Sequence, residues 1–331
     1  MIKRPSPRIE SAPGSGALVG IVLGLTAVIC LMLLAFSTPA IHSGPHDLPL
    51  AVSGPEPAVA QLRTTLDENR PDAFAVKVHA TSDDVASAIK ERAAVGGISI
   101  APDGITIQVA SAAGAPYVSL LRNIGSGFAS QGQPVKYIDV APLTSDDPNG
   151  SGVAALALPL ALGGTLSAVA LATMFRRSRT RRIVGSLAFS MVAGLAATVL
   201  LRFVLGTVDG AFWGTSAAVG LGIAAISLTV LGLESLLGYV GIGVGALTMV
   251  FVANPLSGIA SGSAWLPQPW GDIGQFLPIG AAGTLIRSTA FFDGAGSVNA
   301  LLVLGGWVIL GLSLLAMSTR RHSPTEVTSA S

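Results

Sequence analysis

Few side chains in this sequence are equipped for chemistry, and their spacing excludes most reactions. The four histidines are His42, His46, His79 and His322. His42 and His46 stand four apart beside Asp47, a spacing at which two imidazoles on one helix face can share a metal. Gly44 and Pro45 lie between them and break the helix that such a pair needs, so no metal site is expected. The single cysteine, Cys30, lies inside an apolar run, which leaves neither an internal disulfide nor a cysteine-based metal site. Pro13-Gly14-Ser15-Gly16 lacks the Lys-Ser/Thr that completes a phosphate loop. No nucleophile elbow and no paired-acid signature is present. The chain therefore reads as a non-enzyme with no catalytic residues and no cofactor.

The elements that would carry any site are mostly apolar. Charged residues are 11% of the chain and hydrophobic residues 50%, and the mean hydropathy is +0.67. Soluble domains carry about 25% charged residues, so this is an integral membrane protein. Gly16 to Phe36 is apolar apart from Thr26, long enough to cross a hydrocarbon core as a helix. A secretory signal peptide is the competing reading, with Lys3, Arg4 and Arg8 before the run and small residues after it. Its apolar core usually spans about 7–15 residues, so an uncleaved anchor is preferred. Four further runs follow, at Val153–Phe175, Ile183–Leu205, Thr215–Leu233 and Leu236–Ala253, and a last one at about Val298–Met317. Only Glu234 and Ser235 separate two of them, which predicts a tight helical hairpin. The expected fold is thus an α-helical membrane protein with six transmembrane helices. Its parts are a tail (1–15), a first helix (16–37), an α/β domain (38–151), four helices (152–253), a re-entrant or interfacial segment (254–297), a last helix (298–317) and a second tail (318–331).

Between Ser37 and Ser151 the chain holds twelve acidic residues against seven basic ones. Leu48–Ser53, Phe74–Val78, Val95–Ile100, Ile105–Ala110 and Val135–Val140 read as strands. Pro55–Asn69, Thr81–Ala93 and Pro116–Ala129 read as helices. Thr81 is the expected N-cap with Asp84 at capping-box distance, and Asp83/Asp84 is read as a helix start rather than a ligand set. Pro102-Asp103-Gly104 is a turn sequence. The order β-α-β-α-β-β-α-β predicts a small α/β domain with a mixed sheet. Ser111-Ala112-Ala113-Gly114 precedes a helix and could receive an anion, although a tight turn is the preferred reading.

Orientation follows from basic flanks. The N-terminus, the FRRSRTRR loop (Arg176, Arg177, Arg179, Arg181, Arg182) and the C-terminus (Arg320, Arg321) carry ten of the 19 Lys and Arg. With six spans all three lie on one side, the cytoplasm, and the α/β domain lies outside. The arginine loop would then fix topology and touch anionic lipid; no nucleic-acid partner is expected. Arg202 is expected to snorkel from the outer end of its span. The glycines at 220, 222, 232, 238, 241, 243 and 245 suggest a closely packed interface, within or between subunits, more than a substrate site.

The stretch Asn254–Gly296 is too polar to cross a bilayer and too apolar for a solvated linker. Trp265, Trp270, Phe276, Phe291 and Phe292 lie among Pro267, Pro269 and Pro278, a mixture suited to headgroup depth. Gln275 to Ala290 is expected to form one or two short helices that bury Phe276, Leu277, Leu285, Ile286 and Phe291. Arg287 and Asp293 would face water or each other.

The Pro-Leu-Ser-Gly turn after a membrane run, the Trp-Leu-Pro element, and FLPIGAAGTLIRSTAFF before the final run together resemble the permease subunits of type-2 ABC exporters. The nearest likeness is to the actinobacterial branch related to phage-infection-protein-like membrane proteins. The likeness covers most of the chain in layout and only this segment in motif. It implies short helices dipping into the outer leaflet as a gate, with Trp270, Phe276, Pro278, Gly280 and Arg287 as candidates. Pro278–Gly280 would be the hinge, and Arg287 would be held by Asp293 or an acid of the outer domain. It implies a separate cytoplasmic ATPase contacted by short cytoplasmic turns, which makes Glu234 a candidate coupling residue beside its reading as a solvated turn residue. It also implies a homodimer or heterodimer of permeases, in contact with membrane lipid, that moves an amphiphile such as a lipid, peptide or drug. The alternative is a non-transporting envelope protein whose outer domain binds a partner.

Overall fold

The computed structural model of the chain describes residues 15–318. The basic residues Lys3, Arg4, Arg8, Arg320 and Arg321, together with His322 and Pro13-Gly14, lie outside the described residues. The first helix, α1 (Ser15–Ile41), exposes apolar side chains on every face, and none of its apolar window is buried against the rest of the chain. A helix apolar all round and met by the rest of the chain only at its C-terminal end has lipid as its natural solvent.

The α/β unit follows. Its elements are β1 (Leu48–Ser53), α2 (Glu56–Asn69), β2 (Phe74–His79), α3 (Ser82–Lys90), β3 (Gly96–Ala101), β4 (Gly104–Val109), a 3-10 turn at Ser111–Ala113, α4 (Ala115–Ser130) and β5 (Val135–Asp139). This is the expected order of strands and helices. The sheet runs β2-β1-β3-β4-β5 and is mixed: only the β3–β4 hairpin is antiparallel, with Ile98 opposite Ile107. Alternation along β1 sets the two layers. Leu50 and Val52 face α2 and α4, in a core with Val59, Leu62, Leu66, Ile98, Ile107 and Leu121. Ala51 faces α3, where Val85, Ala88 and Ile89 are buried. Each large apolar side chain buried here stabilises the fold by about 1.5–3 kcal/mol. The α3 capping box forms as expected: Thr81 Oγ1 accepts from the Asp84 amide at 3.1 Å, and the Thr81 amide donates to the Asp84 carboxylate at 3.0 Å. The α3 layer is completed from far along the chain, because Phe292 is buried in it.

The remaining chain is helical: α5 (Ser151–Ala154), α6 (Ala157–Met174), α7 (Arg179–Val199), α8 (Phe212–Leu237), α9 (Tyr239–Leu247), α10 (Trp270–Gln275), α11 (Pro278–Phe291) and α12 (Val298–Met317). Short π-helical turns prolong α7 through Leu200–Val204 and α9 through Thr248–Ala253. The bundle is built round α8, which is buried by α6, α7, α11 and α12. Its glycines admit those neighbours: a side chain at Gly222 would meet Ala282, and one at Gly232 would meet the backbone of α12. Of the seven glycines noted, those at 220, 222, 232, 241 and 245 make close contacts within the chain, while a side chain at Gly238 or Gly243 would meet nothing.

Among the described residues, five helices are long and apolar enough to cross a membrane: Leu18–Ile41, Ser151–Met174, Arg179–Val204, Phe212–Leu237 and Val298–Met317. The run expected from Leu236 to Ala253 is a shorter apolar helix, Tyr239–Ala253. The hairpin also turns later than expected. Helix α8 continues through Glu234 and Ser235 to Leu237, and the chain reverses at Gly238, whose φ of 62° suits a residue without a β-carbon.

Candidate functional site

The 254–296 segment holds two helices, α10 and α11, as expected. Pro278 takes an early position in α11, where its missing N–H leaves no helix bond unmade. Ile279, Ala281, Ala282, Leu285, Ile286, Ser288 and Ala290 are buried. Helix α11 lies against α8 and α12, with α10 packed across its start. Leu285 and Ile286 are therefore buried as expected. Phe276 is not: it is 68% exposed, and its contacts are through the backbone, with the carbonyl accepting from Trp307 Nε1 at 2.7 Å and the amide donating to the Ile273 carbonyl at 3.1 Å. Trp270 is also exposed. Gly280 lies in the first turn of α11 with its α-carbon against the Gly274 carbonyl. Its role is close approach of two backbones rather than the positive dihedral of a hinge.

Arg287 departs furthest from expectation. It neither faces water nor meets Asp293. It is 7% exposed, and its Nη2 donates to the Ile259 carbonyl at 3.0 Å. A second guanidinium comes from the α/β unit. Arg92 stands just past α3 with φ 61°, and its Nη1 donates to the Thr284 carbonyl at 3.1 Å and to Ser288 Oγ at 2.6 Å. It also lies over the Phe292 ring, 5.2 Å from its centroid. Burial, followed by the charge of Arg287, lowers the Arg92 pKa to about 10. Beside them stands Tyr117 of α4, 3% exposed and edge-on to Trp265 with centroids 5.7 Å apart. Burial pushes the Tyr117 phenol up to about 12, so it is neutral at ordinary pH and offsets neither guanidinium. Among the described residues only two ion pairs form, Arg182–Glu234 and Arg202–Asp209, and neither involves this cluster.

This cluster was missed in the sequence. Arg92 follows a short amphipathic helix and looks like a solvated helix end. Nothing local marks it as the contact that fastens the α/β unit to α11.

The other candidates fall in separate places. Glu234 is neither a hairpin turn nor solvated. Its carboxylate accepts from Arg182 Nη1 at 2.6 Å, with the side chains 19% and 8% exposed. Arg182 also donates to the carbonyls of Ala172, Phe175 and Arg176, and so caps the end of α6. Arg202 is fixed rather than snorkelling freely: it meets Asp209 at 3.6 Å, bonds the Gly210 carbonyl and lies over Phe203. The Ser111–Ala113 turn is closed by a carboxylate, with Ser111 Oγ donating to Asp139 at 2.6 Å and its amide to the same group at 3.2 Å. A carboxylate at that position repels an anion, so the turn reading stands. His42 and His46 each contact a nearby backbone carbonyl, and no cluster of metal-ligating groups occurs among the described residues.

Comparison with known proteins places the chain in no family. No family model, no curated protein and no solved structure matches it. What the arrangement can do is mechanical and electrostatic. It joins a small α/β unit to a buried helix inside an apolar bundle through Arg92, beside the buried Arg287 of that helix, and neither has a carboxylate partner among the described residues.

Proposed function

We propose that the chain is a six-span, multi-pass plasma-membrane protein, with its α/β unit inserted between the first two spans on the outer face and both termini in the cytoplasm. We further propose that it is the permease-like subunit of an ABC-type exporter for an amphiphilic substrate, working as a dimer with a separate ATPase chain. The observation that carries this reading is the Arg92–α11 junction. Helix α11 is packed against the central helix α8 on one side and hydrogen-bonded to the α/β unit on the other. An outer gate in alternating access must link the outer unit to the bundle, and α11 makes that link. Helix α9 and its π-helical extension form the remaining span in this reading. At the opposite end, Arg176 and Arg181 lie exposed near the Arg182–Glu234 pair and Tyr239. They offer a charged surface to a cytoplasmic ATPase, with Glu234 beside it.

The test uses cysteine labelling, co-purification and partner turnover. In a Cys30→Ala background, cysteines at positions 100 and 265 should label from outside and one at 178 only from inside. An ATPase should co-purify with the detergent-solubilised protein, and Gly280→Val or Arg287→Leu should abolish its transport-coupled turnover while surface labelling persists. Labelling of 100 and 178 from the same side ends the topology. Absence of any ATPase moves the assignment to a membrane-anchored envelope protein whose outer domain binds a partner.

A further inference from the structure

Two guanidiniums at the junction are short of acceptors. Each presents five N–H donors, and the protein engages the pair through three hydrogen bonds. No carboxylate lies within ion-pair distance of either among the described residues. Like charges buried together are costly unless a counter-charge joins them. A cavity of about 440 Å³ adjoins the cluster. Its walls include Phe36 and Pro39 at the end of α1, Asn254, Ile259, Trp265 and Leu266, and no lining residue is charged. Ile259, whose carbonyl receives Arg287, lines this cavity, and neither arginine lines it directly. The Asn254 side chain makes no hydrogen bond in the protein and lines the same space. The cavity lies where apolar α1 gives way to the α/β unit, which is headgroup depth for a helix crossing the bilayer. A larger cavity of about 680 Å³ beside Thr284 is lined by Asp272, whose carboxylate disfavours an anion.

We propose that Arg287, backed by Arg92, draws the phosphate of an anionic lipid into the cavity between the end of α1 and the 254–266 loop, with the acyl chains leaving past Phe36 into the bilayer. Positive charge behind an uncharged, largely apolar wall complements an anionic head joined to apolar chains. The inference deepens the exporter reading, on which it rests, by naming a phosphate-headed amphiphile as the class of molecule met at the outer gate.

The test is the thermal stability of the full-length protein in detergent, titrated with phosphatidylglycerol, phosphatidylcholine or inorganic phosphate. Phosphatidylglycerol should stabilise the wild type at the lowest concentration. Arg287→Gln should weaken its apparent affinity about tenfold, the loss expected when one full charge close behind the wall is removed. Because Arg287→Gln also removes a buried contact, Ala260→Phe serves as the second variant. Ala260 is exposed and lines the cavity, so a phenyl ring there fills the space with both arginines intact. It should keep wild-type stability without lipid and lose the lipid response. An equal response to phosphatidylcholine, an equal response to inorganic phosphate alone, or an undiminished phosphatidylglycerol response in both variants overturns the proposal. The read-out needs no ATPase. Lipid binding without transport therefore removes the exporter reading alone, and transport without selective lipid binding removes this one alone.

Discussion

Replacing Arg182 by Met should loosen one end of the helical bundle, and the size of the effect follows from its surroundings. The Arg182 side chain is 8% exposed and its partner carboxylate, Glu234, 19%. Met fills much of the arginine's volume but strands that carboxylate. Breaking one side of a buried pair costs about 3–5 kcal/mol. The carbonyls of Ala172, Phe175 and Arg176 are freed, and Ala172 and Arg176 line a cavity of about 270 Å³. Water reaches them there, so they add about 1 kcal/mol. At about 2–4 °C per kcal/mol for a chain approaching this size, the unfolding midpoint falls by on the order of 10 °C. Glu234→Gln keeps an acceptor for Arg182 and should cost only about 1–2 kcal/mol. The double variant Arg182→Met/Glu234→Leu strands no charge and should recover most of the single-variant loss. The assay is thermal unfolding of the detergent-purified protein, followed by circular dichroism. An Arg182→Met variant as stable as the wild type, or a double variant no better than Arg182→Met, refutes the reasoning. The series also separates roles for Glu234. A coupling residue loses ATPase stimulation in Glu234→Gln well beyond that small loss of stability.

Gly280→Ala should destabilise the protein by about 1–3 kcal/mol through overpacking against the Gly274 carbonyl, with faster proteolysis between α10 and α11 as the read-out; unchanged proteolysis would remove the close approach. A fragment of residues 45–145 should give a mixed helix–strand spectrum and bind an apolar dye, because the layer closed by Phe292 and the packing site of Trp265 are left open; a disordered spectrum would show that the sheet depends on the bundle. Tyr117→Phe should resist alkali better than the wild type between about pH 10 and 12. The folded phenol holds its proton to about 12 while the unfolded one loses it near 10, so stability falls through this window by up to about 1.4 kcal/mol per pH unit. Arg92, lowered to about 10, acts in the opposite direction and is coupled to Tyr117, so the difference between the two proteins reports the phenol together with its effect on Arg92. Identical alkaline profiles would place Tyr117 in contact with water.

The α/β unit was legible because its solvent gives burial a direction. Leu50 and Val52 alternate with Ala51 along β1, Thr81 and Asp84 mark the start of α3, and Pro102-Asp103-Gly104 marks the hairpin turn. Each signal is local, and each agrees with the fold. In the apolar part that logic fails, because lipid tolerates Phe276 as readily as a protein core does. Hydropathy there identifies helices without saying which face is covered. Charges misled for a different reason. Glu234 looked like a break in an apolar run, yet it is neutralised by Arg182 from the preceding helix, and the real break is Gly238. The Arg92–α11 contact joins residues nearly two hundred positions apart, and no window along the chain contains both halves.

The central position of α8 sets a schedule for biosynthesis. Helix α8 leaves the ribosome before α11 and α12 exist, yet those two helices cover the faces around Gly222, Thr229 and Gly232. Until they arrive, a glycine- and hydroxyl-lined surface stands open to lipid or to the insertion machinery. A chain truncated near residue 253 would keep that surface open permanently and present membrane quality-control proteases with an orphan helix. Assembly of this protein is thus completed from its C-terminal side, and damage to α11 or α12 should lower its abundance in the cell before it touches any activity.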